Sequence, residues 1–440
     1  MKTKVKIALQ TEASDTPCWP YINYDYDRKF SEIFEVIKQS NQDIDFDIAK
    51  YTSVSDAEAD YENDLKKYDG VLVLLMTCGN HIEMMYARKA KEGGLPVIIA
   101  DIPFCGSGAM LVNASRVVRK ENLPVPLISS LDYKDIAKSV RMFSVIKRMR
   151  ESKILVVADW FDTRAEEESN RIWGCSFVHA SSQDFNKYFE KTKISDAEEI
   201  AKNWQSEAVS IVEPNFDEIV ESARIYLALE QMKKDSGADA VTVDCLSLSY
   251  SGSYNGKTHM YPCMSHYEMS KHGTVAVCEA DINATVASLI MLYLTGRPGY
   301  VSDPVIDTSS NQIIYAHCVA CTKIFGHDDK YTCPFYIRSH AEDKLGASVQ
   351  TIFPAGEKLT TVYFNFPANK ASIHSGISVG NVGCEEGCRS KLAASAAAEV
   401  LLNNWQFGRW HRVTVFGDYR KLFMDLCKMR GVDVIEEDKY

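Results

Sequence analysis

Short apolar runs alternate with amphipathic stretches through the first half of this chain, and that alternation limits the fold more than any other feature. Val5 to Gln10, Phe46 to Tyr51, Gly70 to Leu75, Pro96 to Asp101 and Pro124 to Ser129 have the length and apolar content of buried strands. Between them, 28–39, 56–67, 81–91 and 107–120 carry apolar residues at helical spacing. A strand–helix rhythm of this kind predicts a doubly wound, Rossmann-like parallel sheet.

A second unit of the same kind follows the helical stretch 133–150. Its expected strands are 153–158, 176–180, 238–246 and 274–279, with a helix over 217–234 among the connections. The rhythm changes between Gly299 and Ile324. From Lys330 to Gly387 it becomes period-two strands separated by turns, at 333–340, 347–353, 360–366 and 373–379, and helix, strand and helix return over 394–430. The expected fold class is therefore α/β, with two doubly wound domains over 1–150 and 151–325 and a β-rich C-terminal domain over 326–440.

Composition excludes several functions. The net charge of −11 over 440 residues, with no basic run, argues against nucleic-acid and anionic-membrane partners. No apolar run approaches the roughly 20 residues of a membrane span. Met1 to Gln10 holds lysines without an apolar segment behind them and reads as a first strand rather than a signal peptide. The 13 cysteines, odd in number and scattered over strands and strand ends, read as reduced thiols, so a cytoplasmic location is expected.

Ligands of parallel sheets bind at the C-terminal ends of the strands. Four such ends are polar: Thr77 to His81 (with Asn80), Asp101 to Gly108, Asp244 to Ser247, and Cys278 to Asp281. None forms a dinucleotide or P-loop fingerprint, and the Gly106-Ser107-Gly108 turn alone reads as a tight connection.

In the last of these, Val275-Ala276-Val277-Cys278-Glu279-Ala280-Asp281, an apolar strand ends in two acids two residues apart. If the strand continues, Glu279 and Asp281 face the same way and repel unless a cation or proton sits between them. The competing reading makes Asp281 a helix cap and leaves Glu279 solvated. Just upstream, Tyr261-Pro262-Cys263-Met264-Ser265-His266-Tyr267-Glu268 supplies another carboxylate, which reads otherwise as a surface helix glutamate. His411 opens an apolar strand after Asn403-Asn404-Trp405, where a histidine is commonly structural.

Taken together these segments resemble the L-fucose isomerase-like sugar isomerases, relatives of the L-arabinose isomerases. In that family a Tyr-Pro turn leads to a helix with a metal-binding glutamate, a strand ends in Glu-x-Asp, and an Asn-Asn-Trp stretch precedes a metal-binding histidine. The matching positions are Glu268, Asp281 and His411, and Tyr315-Ala316-His317-Cys318 matches a sugar-binding loop. Ser339 to Gly346 and Gly387-Cys388-Arg389 look like loops of the β domain. The chain is shorter than typical family members and the interval from Glu268 to Asp281 is compressed, so Glu279 is the alternative glutamate ligand.

The resemblance implies a cytoplasmic homo-oligomer with sites completed between subunits, interconverting a free aldose and its ketose through a cis-enediol. A divalent cation, Mn²⁺ ahead of Mg²⁺ or Co²⁺, would be held by Glu268 or Glu279, Asp281 and His411, with Glu268 and Asp281 also moving protons. His317, Asn80, Arg389 and Trp19 are the expected sugar contacts. Trp19 belongs to an aromatic cluster with Tyr21, Tyr24 and Tyr26 that suits a sugar face or a subunit contact.

Three other readings compete with it. Cys318-x-x-Cys321 and Cys384-x-x-x-Cys388, with Cys333 and His317, have zinc-like spacing. Two α/β halves also build sugar-binding modules without catalysis. Arg338, Lys344 and Arg389 could meet an anionic, sulfonated or phosphorylated hexose.

Overall fold

Strand β1 (Thr3–Gln10) is apolar on both faces, with Val5, Ile7, Ala8 and Leu9 fully buried, so it must lie inside a sheet covered on both sides. In the computed structural model, which describes residues 2–104, 109–407 and 410–440, β1 pairs in parallel with β2 (Ile44–Tyr51) and β3 (Gly70–Leu75). With β4 (Val97–Asp101) and β5 (Leu127–Ser129) the order is β2-β1-β3-β4-β5, and the connections reverse between β1 and β3. All of β3 is buried. Gly70 opens it because a Cβ there would stand 2.2 Å from the Phe143 ring. Lys6, buried within this layer, lies 2.7 Å from the buried Asp64. These elements form one compact unit, Met1–Arg148, which the segment Lys421–Asp433 rejoins.

The second unit, Met149–Arg420 with Val434–Tyr440, contains the remaining sheets. Four parallel strands, β6 (Lys153–Val157), β7 (Ser176–Ala180), β8 (Ala240–Val243) and β9 (Val275–Cys278), run in the order β7-β6-β8-β9. The helix Ile282–Thr295 follows β9 and is buried nearly all round.

The rest of the unit is antiparallel. Strands β10 (Tyr300–Asp307) and β11 (Gln312–His317) are followed by a small ribbon of β12 (Phe335–Arg338) and β13 (Ser348–Thr351). Then come β14 (Lys358–Asn365), β15 (Lys370–Asn381), β16 (Ser390–Ser395), β17 (Arg412–Phe416) and β18 (Asp433–Glu436). The order β14-β17-β10-β11-β16-β15 closes on itself through β14–β15, giving a six-stranded barrel with β18 added beside β15. Closure leaves no free edge among the six. Within the barrel, Thr361 donates to the Tyr315 hydroxyl at 2.9 Å, and that hydroxyl lies 2.9 Å from His374 Nε2. His374 Nδ1 and Arg412 both reach the fully buried Glu437, at 3.1 and 3.3 Å.

The chain is thus mixed α/β with parallel sheets and a β-rich, antiparallel C-terminal barrel. Two expectations shift. The barrel takes its first strands from 300–317, ahead of the expected boundary at 325, because β10 pairs with β17 and β11 with β16. The expected strand over 238–246 stops at Val243, where Asp244 begins the short helix Cys245–Ser251.

Candidate metal centre

Three consecutive barrel strands bring side chains to one rim. Ser302 of β10 pairs with Arg412 of β17, and Asp303 pairs with Ala316 of β11. Extending that register puts His411 opposite Asp303 and His317 opposite Ser302, so the three occupy neighbouring positions at the strand ends. The His317 and His411 ring centroids are 5.5 Å apart. His411 Nε2 lies 3.7 Å from Asp303 Oδ1.

The fourth group comes from the parallel sheet. β9 ends at Cys278, and Glu279 and Ala280 both adopt left-handed backbone, φ +64° and +48°. Two such non-glycine residues in succession are costly and are held only where the surroundings enforce them. The turn replaces the continuing strand expected from the sequence, so alternation does not govern Glu279 and Asp281. They meet His411 at different nitrogens: Asp281 Oδ2 is 3.0 Å from Nδ1 and Glu279 Oε1 is 3.7 Å from Nε2. Asp281 Oδ1 also accepts the Ala284 amide at 2.9 Å, capping the helix Ile282–Thr295.

Glu279, His317 and His411 offer donor atoms within 4.8 Å of one another, the arrangement a metal ion needs. His317 Nδ1, His411 Nε2 and Asp303 Oδ1 are buried without hydrogen-bond partners, and buried polar atoms are seldom left so. The residues therefore fit a cation. The Asp281 carboxylate can only accept, so it keeps a proton on His411 Nδ1, and Nε2 is the nitrogen that offers a lone pair to a ligand once it gives up its proton.

The electrostatics are sharply divided. Burial, with the neighbouring His411, takes His317 down to about 4, so it is a neutral donor. Burial would also depress His411, but the Asp281 hydrogen bond and the charges of Asp281, Glu279 and Asp303 carry it up to about 9. Burial raises Asp303 to about 6 against the pull of His411. Three carboxylates facing one imidazole make a site that lacks positive charge.

The expected site residues are redistributed. Glu268 is not in the donor group: Trp204 Nε1 donates to it at 2.9 Å and His272 Nε2 is 3.0 Å away. Its helix, Cys263–Lys271, turns the fully buried His266 toward Cys278 at 3.3 Å, and two residues on a side chain points about 200° away. Asp281 stands behind His411 as cap and orienting carboxylate rather than in the donor group. His317 is in that group rather than outside it.

Arg389 is buried and donates from Nε and a terminal nitrogen to Ser339 at 2.9 and 3.0 Å, so it props a loop. Arg338 is occupied by Glu213, Gln350 and Glu385, and Lys344 is exposed. Asn80 and Trp19 belong to the first unit; Asn80 donates to the Thr11 carbonyl at 2.8 Å, and Trp19 is 41% exposed. In the Ser339 to Gly346 loop, His340 stacks on Tyr261 at 3.9 Å, and Asp343 accepts from Tyr261 and lies beside His259. The turn Gly106-Ser107-Gly108 lies outside the described residues. No cysteine joins a three-donor group among the described residues, so the zinc reading gains no cluster.

Sequence reasoning missed Asp303. Its only signal is an acid inside Tyr300-Val301-Ser302-Asp303-Pro304, and it becomes visible once β10 is known to lie between β11 and β17. A concavity of about 450 Å³ in the second unit contains none of the donors. Two of its carboxylates are already engaged, Glu221 by Arg224 and Lys257 and Glu218 by the Gly346 amide. No helix among the described residues is long and apolar enough to cross a membrane.

Neither a family model nor a curated protein matches this chain.

Proposed function

We propose that this protein is a divalent-metal-dependent aldose–ketose isomerase of the L-fucose isomerase type, acting on a free monosaccharide. The observation that carries the reading is the meeting of Glu279 with His317 and His411, their donor atoms within 4.8 Å of one another and two of the imidazole nitrogens buried without partners. Carboxylate and imidazole suit Mn²⁺ or Co²⁺, with Mg²⁺ the harder alternative. When bound, such an ion acts as a Lewis acid that draws negative charge onto the sugar's oxygens.

The chain's own residues account for the rest. Asp281 holds the His411 ring in place through Nδ1. Asp303, whose Oδ1 is buried, unpartnered and 3.7 Å from His411 Nε2, is placed to carry a proton between the two carbons of the enediol. This replaces the assignment of proton transfer to Glu268 and Asp281. His317 and His411 are buried at this rim, which keeps the charges beside them effective.

The test is exchange in D₂O. Protein stripped with chelator is incubated with Mn²⁺ and a panel of aldoses and ketoses, and deuterium entry beside the carbonyl is followed by NMR. Metal-dependent entry that is lost in His411→Ala and Asp303→Asn supports the reading. Sugar binding without exchange in any metal would replace it with a binding role.

A further inference from the structure

We propose that Cys18 and Cys78 form a reversible disulfide that fastens residues 11–25 onto the C-terminal end of β3. Their sulfurs are 3.6 Å apart, in contact and unbonded, and both residues are partly exposed. A disulfide needs them at about 2.05 Å, an approach of roughly 1.5 Å that two loop residues can make. Cys18 Sγ already lies 2.9 Å from the Cys78 carbonyl and 3.0 Å from Thr77 Oγ1, so the thiol is held over its partner.

The segment 11–25 has no helix or strand of its own, and it connects β1 to the helix Tyr26–Ser40. Three polar contacts hold it and its neighbour strand to the β3 end. Thr77 Oγ1 donates to the Trp19 carbonyl at 2.9 Å, Asn80 to the Thr11 carbonyl at 2.8 Å, and Gln10 to the Gly79 carbonyl at 2.6 Å. It presents Trp19, Tyr21 and Ile22 at 41, 60 and 47% exposure. These residues stand where β1 and β3 send their connections to opposite faces, the crevice in which open parallel sheets take ligands. A covalent bond there would fix the aromatic loop across that crevice, and its reduction would free it.

The chemistry balances with hydrogen peroxide as oxidant. One thiolate attacks the peroxide, giving a sulfenic acid and, after protonation, water. The second thiolate displaces hydroxide from that sulfur, which leaves as a second water. Two electrons pass from the sulfurs to the O–O bond, and a dithiol reductant reverses the step.

The test uses the full chain, reduced, freed of reductant and treated with stoichiometric hydrogen peroxide. Remaining thiols are alkylated and non-reduced peptides are mapped by mass spectrometry. The expected product is a Cys18–Cys78 cross-linked peptide that dithiothreitol removes. Cys18→Ser should instead leave Cys78 as a sulfenic acid trapped by dimedone, with circular dichroism showing that the variant is folded. A cross-link confined to Cys384–Cys388 or between chains, or none at all, overturns the proposal. Chymotryptic cleavage after Tyr21 should slow about tenfold on oxidation and recover on reduction. Unchanged cleavage in a chain shown to be cross-linked would overturn the fastening of the loop.

Discussion

Asp281 makes two contacts from its two oxygens, and two substitutions separate them. In Asp281→Ala both are lost. The missing cap costs about 1 kcal/mol, and the hydrogen bond from buried His411 to a charged acceptor about 1.5–3 kcal/mol, so the expected loss is about 2.5–4 kcal/mol. In Asp281→Asn the amide oxygen still accepts the Ala284 amide, and the amide nitrogen faces His411 Nδ1. That nitrogen can only donate, so Nδ1 must become the acceptor and the proton moves to Nε2, where the lone pair for the metal was. Stability should therefore fall by only about 1 kcal/mol, while Mn²⁺ affinity falls about 10–100-fold or more. Urea unfolding without metal gives the first quantity and calorimetric Mn²⁺ titration the second. If the Asn variant binds Mn²⁺ like wild type, the tautomer argument fails. If the Ala variant is no less stable than the Asn variant, the cap argument fails.

Glu279→Gln or His317→Ala should remove the rise in midpoint temperature that saturating Mn²⁺ gives wild type, a stabilisation of about 2.7 kcal/mol at 100 times Kd; scanning calorimetry with and without chelator reads it. Asp64→Ala leaves the Lys6 ammonium buried and should cost about 3 kcal/mol, at the low end for a broken buried pair, since Asp60 stands 3.7 Å away as a substitute. Gly70→Ala should destabilise by about 1–3 kcal/mol through overpacking against Phe143, with Phe143→Leu in the same chain restoring part of it. Glu437 is raised by burial but lowered more by His374 and Arg412, and ends below its ordinary 4.5. A depressed carboxyl stabilises above its unfolded value, so barrel stability should fall as pH drops below about 4.5, and Glu437→Gln should flatten that dependence in urea titrations.

The parallel sheets were legible because buried strands of this kind are continuously apolar: Gly70 to Leu75 begins and ends where the sequence places it. The barrel was half legible. Period-two alternation marks β14 and β15, but nothing in Tyr300 to Asp307 says that its neighbours lie at 312–317 and 412–416, because pairing partners are a matter of long-range register. The same limit explains the site. His411 and Glu279 could be named from their places at strand ends, whereas Asp303 acquires meaning only from strand order. Glu268 is set apart by helical phase: Tyr267 and His266 point into the protein core, and Glu268 turns away to Trp204.

The circular pairing of the barrel also sets a timetable. His411 lies 130 residues beyond Asp281, and β17 enters between β14 and β10, so the ring stays open until almost the whole chain has emerged. A nascent chain on the ribosome that stops short of β17 already has the parallel sheet and Glu279, but it has no imidazole at position 411. A cation bound at this centre would therefore be taken up after synthesis, by a finished ring. Its arrival in a refolding experiment would time the moment the last strand slides home.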